Sequence, residues 1–239
     1  MPEKLSASRA SKHLSCHASA NLELAIPNWV PPEVDDTQDN AANRGTRMHE
    51  MFAGIMELNP KDMAMMAKAI EYVAEIRRGR RFKVFVEASM KAMWLDTEPS
   101  TTADLVLYLK DELHIFDLKT GTIPVSAFGN EQLLYYAATY APLAPNATEV
   151  HLHIVQPWAD VMEEWVVATG YVANFMVKAR QAEQAIQGGD VTFVPGDHCQ
   201  FCPANPHGRG AKGKPYCPAM MSVLYPTPPI DEEEILKGD

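Results

Sequence analysis

The stretch that decides the fold is Thr102-Ala-Asp104-Leu-Val-Leu-Tyr-Leu-Lys110-Asp-Glu-Leu-His-Ile-Phe-Asp117-Leu-Lys119-Thr-Gly121. Its two halves are rich in β-branched and aromatic residues, which predicts two strands joined by a two-residue turn at Lys110 and Asp111. Directly opposed residues then have numbers that sum to 221, so Asp104 faces Asp117 with Cβ atoms about 5 Å apart. A three-residue turn would shift this pairing by one position.

Lys119 lies two residues beyond Asp117 and therefore shares its strand face. The other side chains predicted on this face are mostly apolar: Val106, Tyr108, Leu113 and Ile115. Two carboxylates opposed on a half-buried face repel each other unless a cation lies between them, and oxygen ligands suit Mg²⁺ or Mn²⁺. The competing interpretation is a structural ion pair between Asp117 and Lys119 at the end of an edge strand.

The remaining pattern predicts one α/β domain, with a central mixed β-sheet flanked by helices. Helices are predicted within 5–25 and at 41–58, 61–79, 130–140 and 171–188. Strands are predicted at 82–94, 101–109, 112–119, 149–156 and 162–168. Ser6 or Ser8 is expected to cap the first helix, which carries Cys16 near its end. The domain is expected to span 1–225, with a core at 41–188, an irregular cysteine-rich segment at 189–225, and a disordered acidic tail at 226–239.

Composition excludes several classes of protein. The chain has 21 Lys and Arg against 31 Asp and Glu, a formal net charge of −10, which argues against a polybasic DNA-coating protein. Hydrophobic residues make up 46%, which is typical of a globular chain. No secretion signal or membrane-spanning stretch is evident, so we expect a cytoplasmic protein without membrane contact. In that setting the four cysteines are expected to be thiols or metal ligands.

The order Asp104, Asp117, Lys119 resembles the catalytic signature of the PD-(D/E)xK nucleases, in the RecB-like exonuclease branch. Thr102-Ala103 stands here in place of the proline of that signature. The branch carries further motifs, and this chain has a matching residue for each. They are His49 in Gly45-Thr-Arg-Met-His49, Glu87 in Val-Phe-Val-Glu87, and the pair Gln132 and Tyr136 in Gln132-Leu-Leu-Tyr-Tyr136.

The resemblance implies a restriction-endonuclease-like core and a role for each matched residue. His49, Asp104, Asp117 and the carbonyl of Leu118 would bind Mg²⁺ or Mn²⁺. Lys119 would assist the attacking water, and Glu87 would serve a second metal or its water shell. Gln132 and Tyr136, four residues apart on one helix face, would help to position nucleic acid.

The cysteines form a second pattern: Cys199-Gln-Phe-Cys202, then Cys217, with Cys16 remote in sequence. From the residues alone, a four-cysteine Zn²⁺ site and a [4Fe-4S] cluster compete, His198 and His207 are alternative zinc ligands, and purely structural thiols remain open. The resemblance favours [4Fe-4S], since CRISPR-associated exonucleases and the AddB nuclease have one cysteine before the core and three after it. The interval between Cys202 and Cys217 is longer than usual in that group. A structural role for the cluster is expected.

Basic and aromatic residues supply candidate DNA contacts. Arg77, Arg78, Arg80 and Arg81 precede the strand that bears Glu87, and they are either phosphate contacts beside the metal or a solvated helix end. A looser group comprises Arg209, Lys212 and Lys214. Tyr136, Tyr140 and Trp94 are candidate stacking surfaces for single-stranded bases, or else core residues.

The sequence therefore predicts a metal-dependent DNA exonuclease, similar to stand-alone phage versions, that acts on single-stranded or duplex ends. A recombination or replication protein is a candidate partner. Two alternatives stay open: a catalytically silent protein of the same fold that binds DNA ends as a recombination accessory, and a zinc-bound structural or regulatory protein.

Overall fold

A computed structural model of the chain describes residues 4–25, 60–202, 204–205 and 217–220. The chain divides into two compact units. The larger comprises residues 4–11 and 30–183, and the smaller comprises residues 1–3, 12–29 and 184–239. The predicted helix at 41–58, and with it His49, lies outside the described residues.

The larger unit is built on one mixed β-sheet. Its five strands are β1 (Lys83–Lys91), β2 (Ser100–Leu109), β3 (Glu112–Leu118), β4 (Glu149–Gln156) and β5 (Val161–Ala168), in the spatial order β1-β2-β3-β4-β5. β3 and β4 are parallel and the other neighbours are antiparallel. A parallel pair needs a crossover connection, and the helix between β3 and β4 provides it. The prediction of an α/β fold with a mixed sheet is confirmed.

Helices flank the sheet. Numbered along the chain, the described α-helices are α1 (Ala10–Ser15), α2 (His17–Ala25), α3 (Pro60–Arg77), α4 (Glu131–Tyr140) and α5 (Thr169–Gln187). Met66 and Ala69 of α3 pack against Leu105, Leu107 and Phe116, and we call this side of the sheet the α3 face. α4 covers the opposite side, the α4 face, where Val106, Ile115 and Leu152 are fully buried. None of the described helices is long and apolar enough to cross a membrane.

The hairpin register agrees with the two-residue turn. Leu109 pairs with Glu112 and Leu105 pairs with Phe116, so opposed residues sum to 221 as predicted. Lys110 accommodates the turn with a left-handed φ of 54°. Asp104 and Asp117 are the next opposed positions beyond the Leu105–Phe116 pair. Asp104 and Asp117 lie on the α4 face, because Val106 and Ile115, two residues away on the same strands, lie there.

Two predicted elements end differently in the structure. The helix expected within 5–25 is divided into a 3-10 turn (Ala7–Arg9), α1 and α2, with Cys16 between the two α-helices, and the Ser6 side chain makes no capping hydrogen bond. The strand predicted to reach Trp94 ends at Lys91. A closed turn follows, in which the Ala92 N–H donates to the Pro99 carbonyl at 2.9 Å. The side chain of Trp94 is buried and donates from Nε1 to Thr139 Oγ1 at 3.1 Å.

Candidate active site

Two buried carboxylates meet between the middle of β2 and the end of β3. Asp104 is 7% exposed and Asp117 is 3% exposed. Oδ2 of Asp104 accepts the backbone N–H of Leu118 at 2.6 Å, which fixes Asp104 beside the residue that follows Asp117. The structure therefore brings together three of the four predicted metal ligands, Asp104, Asp117 and Leu118.

Lys119 and Gln132 complete a hydrogen-bonded group around Asp117. The Lys119 ammonium lies 2.6 Å from Oδ2 of Asp117 and donates to Oε1 of Gln132 at 3.0 Å. Nε2 of Gln132 donates to Oδ1 of Asp117 at 3.3 Å and to the Tyr136 hydroxyl at 2.9 Å. One amide thus connects the carboxylate, the lysine and the tyrosine. Burial raises the pKa of Tyr136, and the charge of Asp117 raises it further.

The first turn of α4 places Gln132 in this group. Asn130 is the N-cap residue, and its side chain accepts the N–H groups of Gln132 and Leu133. Such a cap satisfies two backbone donors that no helical carbonyl can reach. Tyr136 follows one turn later on the same helix face. The start of the helix is therefore fixed at the point where Gln132 reaches the sheet.

Glu87 lies on β1 opposite Asp104. Val86 pairs with Leu105 and Ala88 pairs with Ala103, which leaves Glu87 and Asp104 as the facing positions between them. Glu87 has a φ of 44°, in the left-handed region that costs a non-glycine residue about 1–2 kcal/mol. Burial raises the pKa of Tyr140, and the negative charges of Asp104 and Glu87 act in the same direction. A third carboxylate thus stands near the aspartate pair, on a strained backbone.

The arginine run is remote from these carboxylates. Nη1 of Arg80 lies 2.6 Å from Oε2 of Glu112, and Nε of Arg80 donates to the Ile76 carbonyl. The guanidinium carbon of Arg77 lies 5.3 Å from the centre of the Phe82 ring. Glu112 is five residues before Asp117, about 17 Å along β3, and on the opposite face. The structure does not bring Arg77 or Arg80 to the aspartates. Arg78 lines a separate surface groove beside α3, and Arg81 is exposed.

The aromatic side chains proposed for base stacking are inside the molecule. Tyr136 is 6% exposed, Tyr140 is 0% and Trp94 is 8%. Their rings therefore offer no open face for a base, and the core interpretation of these three residues holds. Tyr136 keeps its place beside Gln132 through its hydroxyl group.

The four cysteines line one cavity in the smaller unit. Cys16, Cys202 and Cys217 are buried, Cys199 is partly buried, and all four are free thiols. The backbone N–H of Val194 donates to Cys16 Sγ at 3.4 Å. Burial raises the pKa of Cys199, with a further contribution from the neighbouring thiols of Cys217 and Cys16. The remote Cys16 thus meets the other three, a grouping that spacing alone left unassigned.

His198 lies beside the thiols but is already bonded, because its Nε2 donates to the Val194 carbonyl at 2.9 Å. His207, and the basic residues Arg209, Lys212 and Lys214, lie outside the described residues.

Gln156, which no sequence motif singles out, supports the site from β4. Its side chain is 1% exposed, donates from Nε2 to the carbonyls of Gly121 and Ile123 at 2.8 Å each, and accepts the Val125 N–H at 3.0 Å. These bonds hold the segment that links Lys119 to α4. The only available signal was a polar residue at the end of an apolar strand, which is too common to identify it.

Residues 56–217 match the model of the DUF2800 family, described as a protein of unknown function. Among solved structures, one described as the crystal structure of SSO0001 aligns over 90% of this chain and 96% of its own length, with 11% sequence identity and a TM-score of 0.32. A similarity of that strength carries no argument about fold or function.

Proposed function

The chain belongs to the DUF2800 family, and we propose that it is a metal-dependent DNA exonuclease that hydrolyses phosphodiester bonds at single-stranded or duplex ends. The observation that carries the proposal is the buried pair Asp104 and Asp117, with Lys119 held between Asp117 and Gln132. A structural ion pair needs one carboxylate and one lysine. A second buried acid at the same point is costly for folding, and its presence favours a site for cations.

The donor set suits Mg²⁺ or Mn²⁺, which prefer carboxylate, carbonyl and water oxygens. Asp104, Asp117 and the Leu118 carbonyl would hold the ion, together with His49. The bound metal would lower the pKa of a coordinated water and offset negative charge on the phosphate. Glu87, which faces Asp104, would bind a second ion or order its water shell.

Lys119 would act on the substrate directly. Its ammonium group is held by Asp117 and Gln132 in a mostly buried site, so its charge is oriented before DNA arrives. Fixed charges in such a site stabilise the negative charge that develops on a phosphate during attack, without reorganisation of solvent. Lys119 would thus orient the attacking water and stabilise the phosphate oxygens.

For the cysteines we propose a structural [4Fe-4S] cluster, with Zn²⁺ as the alternative. Four free thiols that share one cavity form a suitable donor set for either metal. Measuring the iron and zinc content of protein purified without oxygen separates the two. Only the protein with the iron cluster should also be brown.

The decisive experiment is degradation of end-labelled linear DNA with Mg²⁺ or Mn²⁺. Asp117→Asn and Lys119→Met should each lower the rate by on the order of 10²-fold or more, since each removes a group that acts in the reaction. Asp111→Asn, in the turn of the same hairpin, is the matched control and should leave the rate unchanged. Closed circular DNA should persist. Equal rates for all variants, or no degradation by the unmodified protein, would overturn the assignment.

A further inference from the structure

Three of the eight histidines gather on the α3 face of the sheet, opposite the face that bears Asp104 and Asp117. His114 lies on β3, and His151 and His153 lie on β4, with His114 and His151 directly paired. His114 is 2% exposed and His153 is 0% exposed. The three rings are nearly parallel, with interplanar angles of 11° to 16°. Three imidazoles on adjacent strands, two of them buried and His151 partly buried, are an unusual composition for a sheet core.

Two ring nitrogens and one carboxylate oxygen lie around a common point. Nδ1 of His114 lies 3.0 Å from Nε2 of His153, and Nε2 of His153 lies 3.8 Å from Oε1 of Glu164. All three atoms lie within 4.8 Å of one another. A tetrahedral ion bound at about 2.1 Å separates its ligand atoms by about 3.4 Å, between the two measured distances. We propose that His114, His153 and Glu164 form a binding site for a divalent transition-metal ion of the Zn²⁺ class.

The groups around these three residues are those that orient metal ligands in proteins. Oε2 of Glu112 lies 2.9 Å from Nε2 of His114, and Arg80 holds that carboxylate at 2.6 Å. A proton on Nε2 of His114 leaves the lone pair on Nδ1, which faces His153. The other ring nitrogen of His153, Nδ1, is hydrogen-bonded to the Tyr72 hydroxyl at 2.9 Å. Carboxylate or hydroxyl partners on the second ring nitrogen fix the tautomer and the orientation of metal-binding histidines.

His151 holds the carboxylate ligand in place. Its Nδ1 lies 2.7 Å from Oε1 of Glu164. Its Nε2 is buried and lacks a hydrogen-bond partner in the part of the chain that the structure describes, although Glu112 Oε2 is 4.0 Å away. Glu164 therefore stays directed toward His153 although its side chain is 41% exposed.

The ligand chemistry selects the metal class. Two imidazoles and one carboxylate suit zinc, cobalt or nickel rather than Mg²⁺, which prefers oxygen ligands. Burial lowers the pKa of both His114 and His153. For Nε2 of His153 to hold an ion, its single proton would have to be on Nδ1, where the Tyr72 hydroxyl oxygen would accept it.

Without metal the same side chains form a continuous hydrogen-bond chain. Tyr72 donates to His153, His153 donates to His114, and His114 donates to Glu112. The structure is therefore compatible with a metal-free state, and the ion would link β3, β4 and β5 rather than be needed for folding. Glu164, whose side chain is 41% exposed, gives the site contact with solvent, and Tyr72 lines a surface groove.

The test is calorimetric titration of the full chain with Zn²⁺ in excess Mg²⁺, which occupies the carboxylate site. The unmodified protein should bind one ion more than a Glu164→Gln variant binds, and zinc should raise its melting temperature. Glu149→Gln, an exposed position on β4 near His151, is the matched control and should bind as the unmodified protein does.

His153→Gln is the second variant. It removes an imidazole ligand and should abolish the same binding event. If circular dichroism shows that this buried substitution prevents folding, the comparison of zinc binding between Glu164→Gln and the unmodified protein decides the proposal. The proposal is overturned if Glu164→Gln and the folded His153→Gln protein bind zinc as the unmodified protein does, or if the unmodified protein binds no zinc that depends on Glu164.

Discussion

Gln132 determines the arrangement of the candidate active site at the scale of single residues. Its amide oxygen accepts from Lys119, and its amide nitrogen donates to Asp117 and Tyr136. An amide donates and accepts at separate atoms, which no apolar residue of equal size can do. Gln132 thus keeps Lys119 and Asp117 in one fixed geometry without adding charge.

Gln132→Met should therefore lower the catalytic rate more than it weakens DNA binding. Methionine has a similar volume but cannot bond to Lys119 or Asp117, so the ammonium loses one of its two fixed contacts. Misplacement of a reacting group by about 1 Å costs on the order of 10²-fold in rate. Steady-state kinetics on linear DNA should show this loss in kcat with little change in KM. Gln184→Met, at an exposed position of α5, is the control, and an equal kcat for both variants would contradict the role of Gln132.

The sequence predicted the aspartate pair but not the contacts that Gln132 makes with Lys119 and Asp117. Asp104 and Asp117 follow from the hairpin register, which depends only on a two-residue turn. The bond from Gln132 to Lys119 depends on how the segment between β3 and α4 is folded, and that path is set by β4. Tyr136 is buried and cannot stack on a base as predicted. Its burial depends on tertiary packing, which the local sequence pattern does not show.

At the scale of elements, the segment from Lys119 to Asn130 is the least regular part of the site and the one most dependent on distant support. The Lys119 N–H donates to the Val155 carbonyl at 2.9 Å. Gln156 bonds to the backbone of residues 121, 123 and 125, and Glu163 accepts the Ala127 N–H at 2.7 Å. β4 and β5 thus fix a loop whose own residues form no ladder.

Gln156→Leu should destabilise the protein and impair the site together. Three backbone groups lose their partner, and each unsatisfied buried group costs about 1–3 kcal/mol. Because part of the loop can regain water, we expect a loss of about 2–4 kcal/mol in the free energy of unfolding. Urea denaturation measures this loss, and nuclease activity at a temperature where the variant is folded should also fall. Gln181→Leu on the exposed side of α5 is the control. A loss below about 0.5 kcal/mol would show that the loop does not depend on Gln156.

Element boundaries were predictable where local pattern sets them. β4 begins and ends at the predicted residues, and the predicted limits of β2, β3 and α4 are within one residue of those observed. The end of β1 was not predictable, because the turn after it is held by Glu183 of α5, which accepts the N–H groups of Asp96 and Thr97 at 2.8 and 3.0 Å. A carboxylate more than 80 residues away leaves no signal in the strand itself.

At the scale of the whole molecule, the smaller unit combines both ends of the chain. The side-chain amide of Asn21 in α2 donates to the Ile186 carbonyl at 2.9 Å. Nδ1 of His17 lies 3.1 Å from Oδ2 of Asp190. Around the thiols, Cys202, Ala204 and Cys217 form a small buried cluster that Leu22, Phe193 and Met220 partly cover. The apolar cluster that the structure describes around the thiols is small, and small units of this kind often depend on bound metal.

Cys202→Ser should therefore remove the visible absorbance of the proposed cluster and loosen the smaller unit alone. Serine has nearly the same shape but is a poor ligand for iron or zinc, so the loss reflects bound metal and not packing. Hydrogen exchange should accelerate in residues 12–25 and 184–205, while strands β2 and β3 keep their protection. The same pattern should follow removal of metal from the unmodified protein with a chelator.

Met220→Leu is the matched control, because it lines the same cavity, conserves volume and removes no thiol. It should keep both the absorbance and the exchange pattern. A colourless protein that contains zinc, and loses it in Cys202→Ser, would assign the site to zinc and leave its structural role intact. If the unmodified protein contains no metal and has no visible absorbance, and Cys202→Ser keeps its exchange protection, the thiols are packing residues and the two chain ends associate without an ion. We would then expect the activity of the candidate active site to be independent of the cysteines. Its residues Asp104, Asp117, Lys119 and Gln132 all lie within residues 30–183.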